Sequence, residues 1–190
     1  MPILNYINDY IRENMSLTVR EQKLFVYYLK CILYDVSKLI LFLFIFSMLH
    51  MLPEFLLTFV IQFPLRTISG GLHFRHYWSC FTFSLVYLFL IITLFRKILI
   101  PFEIGIVLLL LCIIIIYQIG QVRSPSRPSL SDIELLRRKR AVLIAAGCET
   151  LIAVLIYQTD FAPIIYWSII LHTLQLIIGK WNLARLNVPQ

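Results

Sequence analysis

The chain has 190 residues, of which 60% are apolar and 14% are charged. Soluble domains have about 45–50% apolar and about 25% charged residues, so this composition excludes a disordered chain, a basic nucleic-acid-binding domain and almost any water-soluble fold. It predicts a single all-α polytopic membrane domain, in which the formal net charge of +7 reflects membrane topology.

The first segment, residues 1–38, has apolar residues at helical spacing with charged residues between them. This pattern predicts interfacial amphipathic helices at the membrane surface. Thr18 and Glu21 resemble a capping box, so a second helix is expected to begin near Val19. Charged side chains in that helix would each cost about 2.5–3.5 kcal/mol at mid-bilayer, which favours the interface over a span.

The next apolar run, 39–65, is interrupted at Pro53–Glu54. It is too short for two spans of about 20 residues each. The run predicts either one tilted span or a re-entrant, broken segment with Pro53 near its apex. We favour the re-entrant form because it keeps the basic residues of the N-terminal helices on the cytoplasmic side.

Four cleaner apolar stretches follow, each long enough for a bilayer core of about 30 Å. These transmembrane helices are expected near 77–95, 98–119, 141–157 and 162–179. A polar segment, 66–80, precedes the first pair of spans (77–119). A basic loop, 120–140, separates that pair from the second pair (141–179), and a short tail, 180–190, ends the chain.

The basic loop sets the predicted orientation. The positive-inside rule places 120–140 in the cytoplasm, and counting spans brings 66–76 and the tail to the same side. Arg96–Lys97 is the exception, because these two bases are expected outside. The Arg137–Arg140 cluster of the loop is either a topology signal or a docking site for an acidic peptide tail.

The polar segment 66–80 carries the candidate chemistry. A cysteine nucleophile needs its thiolate, which a nearby histidine and a helix N-terminus can both stabilise, so Cys80 is the candidate nucleophile. Gly70–Gly71 allows a sharp turn and can present amides to an oxyanion. Arg66 can orient a substrate carboxylate or hold the loop.

The candidate base is one of two histidines. On one unbroken helix His73 and Cys80 would be separated by about 10.5 Å along the axis. We therefore predict that the continuous helix begins after His73, or that the pair forms across a dimer. His76, four residues before Cys80, is the rival base by spacing. The alternative is that Cys80 is a packing cysteine and Gly70–Gly71 only a turn.

Other polar residues lie in or near the apolar runs. His50 and His172 are interpreted as structural hydrogen-bonding residues. Intramembrane acids are functional candidates by default, here Glu54, Glu103 and Glu149, and no basic partner stands at helical spacing from them. The four cysteines, Cys31, Cys80, Cys112 and Cys148, form neither a metal-binding nor a disulfide pattern, and no cofactor or metal is expected.

The polar segment matches the pattern R-x3-GG-x-H-x6-C through Arg66, Gly70, Gly71, His73 and Cys80. This pattern resembles the signature of AgrB, the accessory gene regulator peptidase family of Gram-positive quorum sensing. The stretch Pro125-Ser126-Arg127-Pro128 with the basic cluster after it resembles that family's proline-bearing loop.

The resemblance implies a cysteine endopeptidase of the bacterial cell membrane, with its active site facing the cytoplasm. Cys80 would be the nucleophile and His73 its general base, and Arg66, Gly70 and Gly71 would support them. The implied substrate is a small AgrD-like pro-peptide. Its C-terminal tail would be removed through an acyl-enzyme thioester, which an internal thiol then closes to a thiolactone. The resemblance also implies a homodimer. No nucleic-acid partner is expected.

The alternative interpretation is a non-enzymatic small-peptide exporter or membrane assembly factor. In such a protein the acidic residues Glu54, Glu103 and Glu149 would matter for passage, and Cys80 would be dispensable.

Overall fold

The computed structural model of the chain describes residues 18–72, 74, 76–122 and 132–185. Within these ranges the chain forms six α-helices and one short 3-10 helix, Phe95–Lys97. The α-helices are α1 (Val19–Met48), α2 (Leu52–Ser69), α3 (Tyr77–Thr93), α4 (Phe102–Ile119), α5 (Asp132–Leu155) and α6 (Ala162–Arg185). No β-strand occurs in the described part of the chain. The predicted all-α polytopic membrane fold is confirmed.

Two compact units make up the chain, Met1–Leu49 and His50–Gln190. The first contains α1, which begins at the predicted capping box. The backbone N–H and the hydroxyl of Thr18 donate to Glu21 Oε2 at 2.8 and 2.7 Å, and the Glu21 N–H donates back to Thr18 Oγ1 at 3.4 Å. These bonds satisfy backbone groups that the first turn of a helix otherwise leaves unpaired.

The predicted boundary at residue 38 is wrong, because α1 continues without interruption to Met48. Its part Tyr28–Met48 is long and apolar enough to cross a membrane. The charges that favoured the interface are partly neutralised within the helix, where Lys38 Nζ and Asp35 Oδ1 form an ion pair at 3.2 Å. Residues 1–17 of the predicted interfacial segment lie outside the described residues.

The run 39–65 is divided between α1 and α2, so it is not one continuous tilted helix, and a re-entrant path through the membrane stays a prediction. The chain turns at residues 49–51, where His50 adopts the left-handed value φ +55°. Pro53 lies in the first turn of α2 and not at an apex. A proline is tolerated there because the N–H at that position has no partner within the helix.

Four described helices are apolar and long enough to span a membrane. They contain the stretches Tyr28–Met48, Tyr77–Lys97, Phe102–Ile119 and Ala162–Arg185. The predicted span 141–157 is not among them, because it belongs to α5, whose first turns carry the Arg137–Arg140 cluster. Tyr28–Met48 takes its place in the set of four.

In the second unit, α6 is the central helix. About 67% of its apolar window is buried, against 28% for the stretch containing α3 and 22% for α4. It packs against α2, α4 and α5, and more lightly against α3. The core between these helices includes Leu65, Leu109, Ala146 and Ile169, one from each of α2, α4, α5 and α6. The outer helices therefore leave one face for lipid.

The second unit has two ends that matter for function. At the first, which we call the diglycine end, Gly70 pairs with Val122, and Gly179 of α6 packs close to both Val122 and Gly71. Described parts of the polar segment and of the start of the basic loop therefore lie together at this end, and the side of the membrane that it faces stays a prediction. At the opposite end, the Arg96 end, the guanidinium of Arg96 lies 5.5 Å from the ring centroid of Phe161.

Candidate active site

The diglycine turn follows directly from α2. Gly70 caps this helix by donating its N–H to the carbonyl oxygen of Arg66 at 3.0 Å, with φ +82° and ψ −147°. This backbone region is essentially restricted to glycine. Gly70 also forms an isolated parallel bridge with Val122, whose N–H donates to the carbonyl oxygen of Ser69 at 2.8 Å. The turn is thereby tied to the residue that leads into the basic loop.

The two glycines differ in the space around them. A Cβ at Gly70 would lie 2.1 Å from the carbonyl oxygen of Val122, so backbone would have to move. A Cβ at Gly71 would meet the side-chain oxygen of Gln175 at 3.6 Å, which is ordinary van der Waals contact. Because the Gly70 N–H caps α2, the predicted oxyanion role of the diglycine amides does not extend to Gly70.

Cys80 lies in the first turn of α3. The helix begins at Tyr77 with His76 as N-cap, which agrees with the prediction that it starts after His73. The Cys80 N–H donates to the His76 carbonyl oxygen at 3.2 Å, and the side chain is half-buried and outside any disulfide. The unpaired N–H groups at a helix N-terminus carry a partial positive charge, and Cys80 lies within this first turn.

Phe74, which lies between the diglycine turn and α3 in the sequence, contacts that helix. The ring of Phe74 packs against the ring of Phe83, with centroids 5.1 Å apart. Phe83 lies three residues beyond Cys80 on α3. The residue after His73 is therefore held beside the first turns of α3, close to the level of Cys80.

The structure describes only one of the two candidate bases, His76. His73 lies outside the described residues, so its pairing with Cys80 stays a prediction. His76 is exposed, and its side chain makes no capping hydrogen bond to α3. The backbone of His76, through its carbonyl oxygen, is the part bonded to Cys80.

Arg66 reaches from the last turn of α2 to α3. Its Nη1 donates to Ser84 Oγ at 3.4 Å. Ser84 lies four residues after Cys80, and residues at this spacing share one face of a helix. The structure thus brings the predicted cation to the face of α3 that carries Cys80, one turn further along the helix.

A second polar contact continues along the same interface. Gln62, one turn before Arg66, donates through Nε2 to Tyr87 Oη at 2.7 Å and to the Ser168 carbonyl oxygen at 2.8 Å. Sequence reasoning did not single out Gln62, Ser84 or Tyr87. The available signal was the spacing of polar residues, four apart on α2 and three apart on α3, inside otherwise apolar runs.

The three acidic candidates have different surroundings. Glu54 accepts a 2.6 Å hydrogen bond from Arg96 Nη1, so its basic partner comes from a distant part of the chain. Glu103 is exposed in the first turn of α4. Glu149 is buried in α5, and both its carboxylate oxygens lack a hydrogen-bond partner among the described residues.

The two intramembrane histidines also differ. His172 is fully buried and hydrogen-bonded to Ser69, which confirms the expected structural hydrogen bond. His50 lies in the turn between α1 and α2. In the described ranges, no three His, Cys, Asp or Glu side chains are grouped to hold a metal ion.

An open cleft of about 380 Å³ lies at the Arg96 end. Its lining includes Ile92, Arg96, Lys97, Asp160 and Pro163. Thr93, which lines the cleft, is 13 residues from Cys80 on α3, or about 20 Å along the helix axis. The cleft is therefore separate from the candidate active site.

The fold and the site define a multi-pass membrane protein with a cysteine at the start of one helix and a diglycine turn at the end of another. The family model for accessory gene regulator B (AgrB) matches residues 4–176. An AgrB-like protein of Clostridium beijerinckii is 37% identical over 92 residues, which cover 48% of this chain and 46% of that relative. The match therefore spans about half of the relative's length, and no solved structure matches the chain.

The family match covers most of the chain, so the chain belongs to the accessory gene regulator B family. It is accordingly a membrane protein of this family.

Proposed function

We propose that the chain is a membrane cysteine endopeptidase that cuts a small pro-peptide and cyclises it. The observation that carries this proposal is the Phe74–Phe83 contact, which holds the residue next to His73 beside the helix turn containing Cys80. Family membership and the helix N-terminus at Cys80 support the same chemistry.

The reaction has two steps. The Cys80 thiolate attacks the carbonyl carbon before the C-terminal tail of the peptide, and the C–N bond breaks while the imidazolium of His73 gives its proton to the leaving amine. This leaves an acyl-enzyme thioester. A thiol of the bound peptide then gives its proton to the neutral His73 and attacks the thioester carbonyl. The C–S bond to Cys80 breaks, a thiolactone forms, and the Cys80 thiolate leaves beside the restored imidazolium. Exclusion of water favours ring closure over hydrolysis.

The remaining residues have supporting roles in this proposal. Arg66 binds the peptide or holds the α2–α3 interface, and Gly70 and Gly71 shape the turn between them. The Arg137–Arg140 cluster, in the first turns of α5, attracts an acidic peptide tail. Lys139 of this cluster lies next to Gly120, at the same end of the second unit as the diglycine turn.

The active site faces the cytoplasm of the bacterial cell in this proposal, because the basic loop shares its end of the unit. The protein acts as a homodimer on an AgrD-like pro-peptide. Either the chain's own His73 or that of a second copy is then able to approach Cys80.

Co-expression with a candidate pro-peptide tests the proposal directly. Cys80→Ala, Cys80→Ser and His73→Ala should abolish release of the tail while the protein still inserts into the membrane, because each removes a reacting group. Cys31→Ser and Cys148→Ser are matched controls that should retain cleavage. Cleavage by Cys80→Ala would overturn the proposal, and loss with His76→Ala but not His73→Ala would reassign the base.

Thiol alkylation provides a peptide-independent check. Alkylating reagents attack the thiolate form of cysteine, which a nearby imidazole generates by accepting the thiol proton. Cys80 should therefore label fastest of the four cysteines at neutral pH. Equal or slower labelling of Cys80 would count against an activated nucleophile.

Glu149 favours the alternative of a small-peptide exporter, because an unpartnered buried acid inside an apolar bundle is typical of transport pathways. In that case Glu149→Gln should stop peptide passage, and Cys80→Ala should leave it unchanged. The same pair of variants in the cleavage assay separates the two functions.

A further inference from the structure

The His172–Ser69 pair has a defined hydrogen-bond direction. Ser69 Oγ lies 2.5 Å from the carbonyl oxygen of Leu65, to which it donates, and 2.8 Å from His172 Nε2. A hydroxyl has one proton to donate, so His172 Nε2 must be the donor to Ser69. The side chain of His172 is 0% exposed, and its Nδ1 has no partner among the described residues. His172 therefore acts as a fixed, buried donor.

Ser69 connects this donor to the diglycine turn. It is the last residue of α2, and its carbonyl oxygen accepts the Val122 N–H at 2.8 Å. The next residue is Gly70, whose φ of +82° sets the direction in which the chain leaves the helix. Holding Ser69 at both its side chain and its carbonyl thus fixes the start of the segment that carries His73.

The same face of α6 supports the rest of the turn. Gln175 and Gly179 follow His172 at helical spacing, three and seven residues further on. The side-chain oxygen of Gln175 lies against Gly71, and a Cβ at Gly179 would be 2.9 Å from Val122 Cγ1. This face of α6 forms a wall behind Gly70 and Gly71. On this face of α6, the side chain of His172 is hydrogen-bonded to Ser69, the last residue of α2.

We propose that His172 is a positioning residue, which acts through Ser69 to hold the diglycine turn in the geometry that brings His73 to Cys80. The inference rests on the proposed peptidase function. It gives α6 a role in the reaction although His172 does not contact the reacting atoms. Misplacement of a reacting group by about 1 Å is enough to lower a rate about 100-fold, so a small movement of Ser69 is sufficient.

Kinetics of tail release by the full-length protein in membranes test this role. His172→Leu and Ser69→Ala should each lower kcat about 10- to 100-fold, with KM changed less than about twofold, because geometry and not peptide binding is lost. His172→Gln should recover most of kcat, since its amide nitrogen can donate to Ser69 Oγ. The double variant His172→Leu/Ser69→Ala should be no slower than either single variant.

Thr173→Val is the matched control for packing. Thr173 is also buried in α6, and its hydroxyl bonds within the helix to the Ile169 carbonyl oxygen. This variant should cleave at the wild-type rate. Wild-type kcat in a folded His172→Leu protein, equal losses in Thr173→Val and His172→Leu, or no recovery in folded His172→Gln would each overturn the proposal. If His172→Leu fails to fold, the kcat of Ser69→Ala decides the outcome, and a wild-type kcat in that variant would overturn the proposal.

Labelling separates this inference from the proposed function. Without peptide, the alkylation rate of Cys80 at neutral pH should fall several-fold in Ser69→Ala and stay unchanged in Thr173→Val, because a displaced imidazole stabilises less thiolate. An unchanged rate in Ser69→Ala would overturn the positioning role. Cleavage by Cys80→Ala would overturn the peptidase itself, and does not depend on His172.

Discussion

At the scale of single residues, the site depends on close approaches between distant parts of the chain. Gly70 and Val122 meet so closely that no side chain fits at Gly70. The sequence predicted a turn at the diglycine, because glycine is common where the backbone bends sharply. It could not predict which of the two glycines is sterically required, since that depends on the position of Val122.

Alanine substitutions at the two glycines should therefore have unequal effects. Gly70→Ala places a Cβ against the Val122 carbonyl oxygen and forces a glycine-only conformation, so we expect a loss of about 2–3 kcal/mol in stability. Gly71→Ala should change stability by less than about 1 kcal/mol, because its Cβ makes an ordinary contact. Thermal unfolding in detergent measures both. Equal losses in the two variants would show that Val122 does not constrain Gly70.

The same limit applies to the residues around Cys80. Its position at a helix start followed from the spacing of 73, 76 and 80, and the structure agrees. The partners Ser69 and His172 are 103 residues apart, and no local pattern connects them. A histidine in an apolar run predicts that some hydrogen bond exists, but the identity of the partner depends on how α2 packs against α6.

At the scale of elements, the charge on the loop after α3 shows what hydropathy alone misses. Arg96 is an exception to the positive-inside rule in the predicted orientation. Its guanidinium bonds to Glu54 of α2 and lies over the ring of Phe161. In addition, the indole of Trp167 donates to the Ile98 carbonyl oxygen at 3.0 Å. These contacts fix the loop to α2 and α6. They assign Arg96 and Glu54 a structural role in connecting these elements.

Breaking the Arg96–Glu54 pair should destabilise the protein without stopping tail release. The two side chains are 31% and 15% exposed, so removing one partner leaves a partly buried charge and should cost about 1–3 kcal/mol. Glu54→Gln and Arg96→Gln should each lower the melting temperature in detergent, and the double variant should lose less than their sum.

Glu103→Gln is the comparison for this pair, because Glu103 is exposed and should have almost no effect. A melting temperature unchanged in Glu54→Gln would contradict a stabilising role for the pair. Loss of tail release in a stable Glu54→Gln protein would instead indicate a functional role for this acid.

The boundaries of α1 show a further limit of sequence reasoning. Charges between residues 23 and 38 argued for a separate interfacial helix, but no helix-ending residue separates them from the apolar run. Helix continuity depends on start and stop signals more than on a change in polarity. The capping box at Thr18 was such a signal and was predicted correctly.

At the scale of the whole molecule, hydropathy and charge were sufficient for the fold class and for the grouping of the loops. Gly70 of the polar segment and Val122 at the start of the basic loop meet at one end, as counting spans predicted. Hydropathy predicted the apolar runs 39–65 and 141–157, which overlap α2 and α5, but it did not predict that both helices pack against α6. Their place beside α6 follows from helix contacts, which composition does not encode.

Single-cysteine labelling should establish which end faces the cytoplasm. In a background with the natural cysteines replaced by serine, Asp160→Cys should react with a membrane-impermeant maleimide in intact cells. Ile133→Cys, in the first turn of the basic helix α5, should react only after lysis, because the basic loop faces inward. Both positions are exposed, so access to reagent does not differ otherwise. The opposite pattern would place the Cys80 end outside.

The pairing of Gly70 with Val122 also matters for protein engineering. A chimaera that takes its proline-containing loop from one relative and its diglycine segment from another would join two backbones shaped for different neighbours. Recombination points are therefore better placed within α1 and α5, which lie on either side of both segments, so that residues 66–72 and 120–122 are inherited together. In this protein, the diglycine turn and the start of the basic loop are expected to be exchanged as one module.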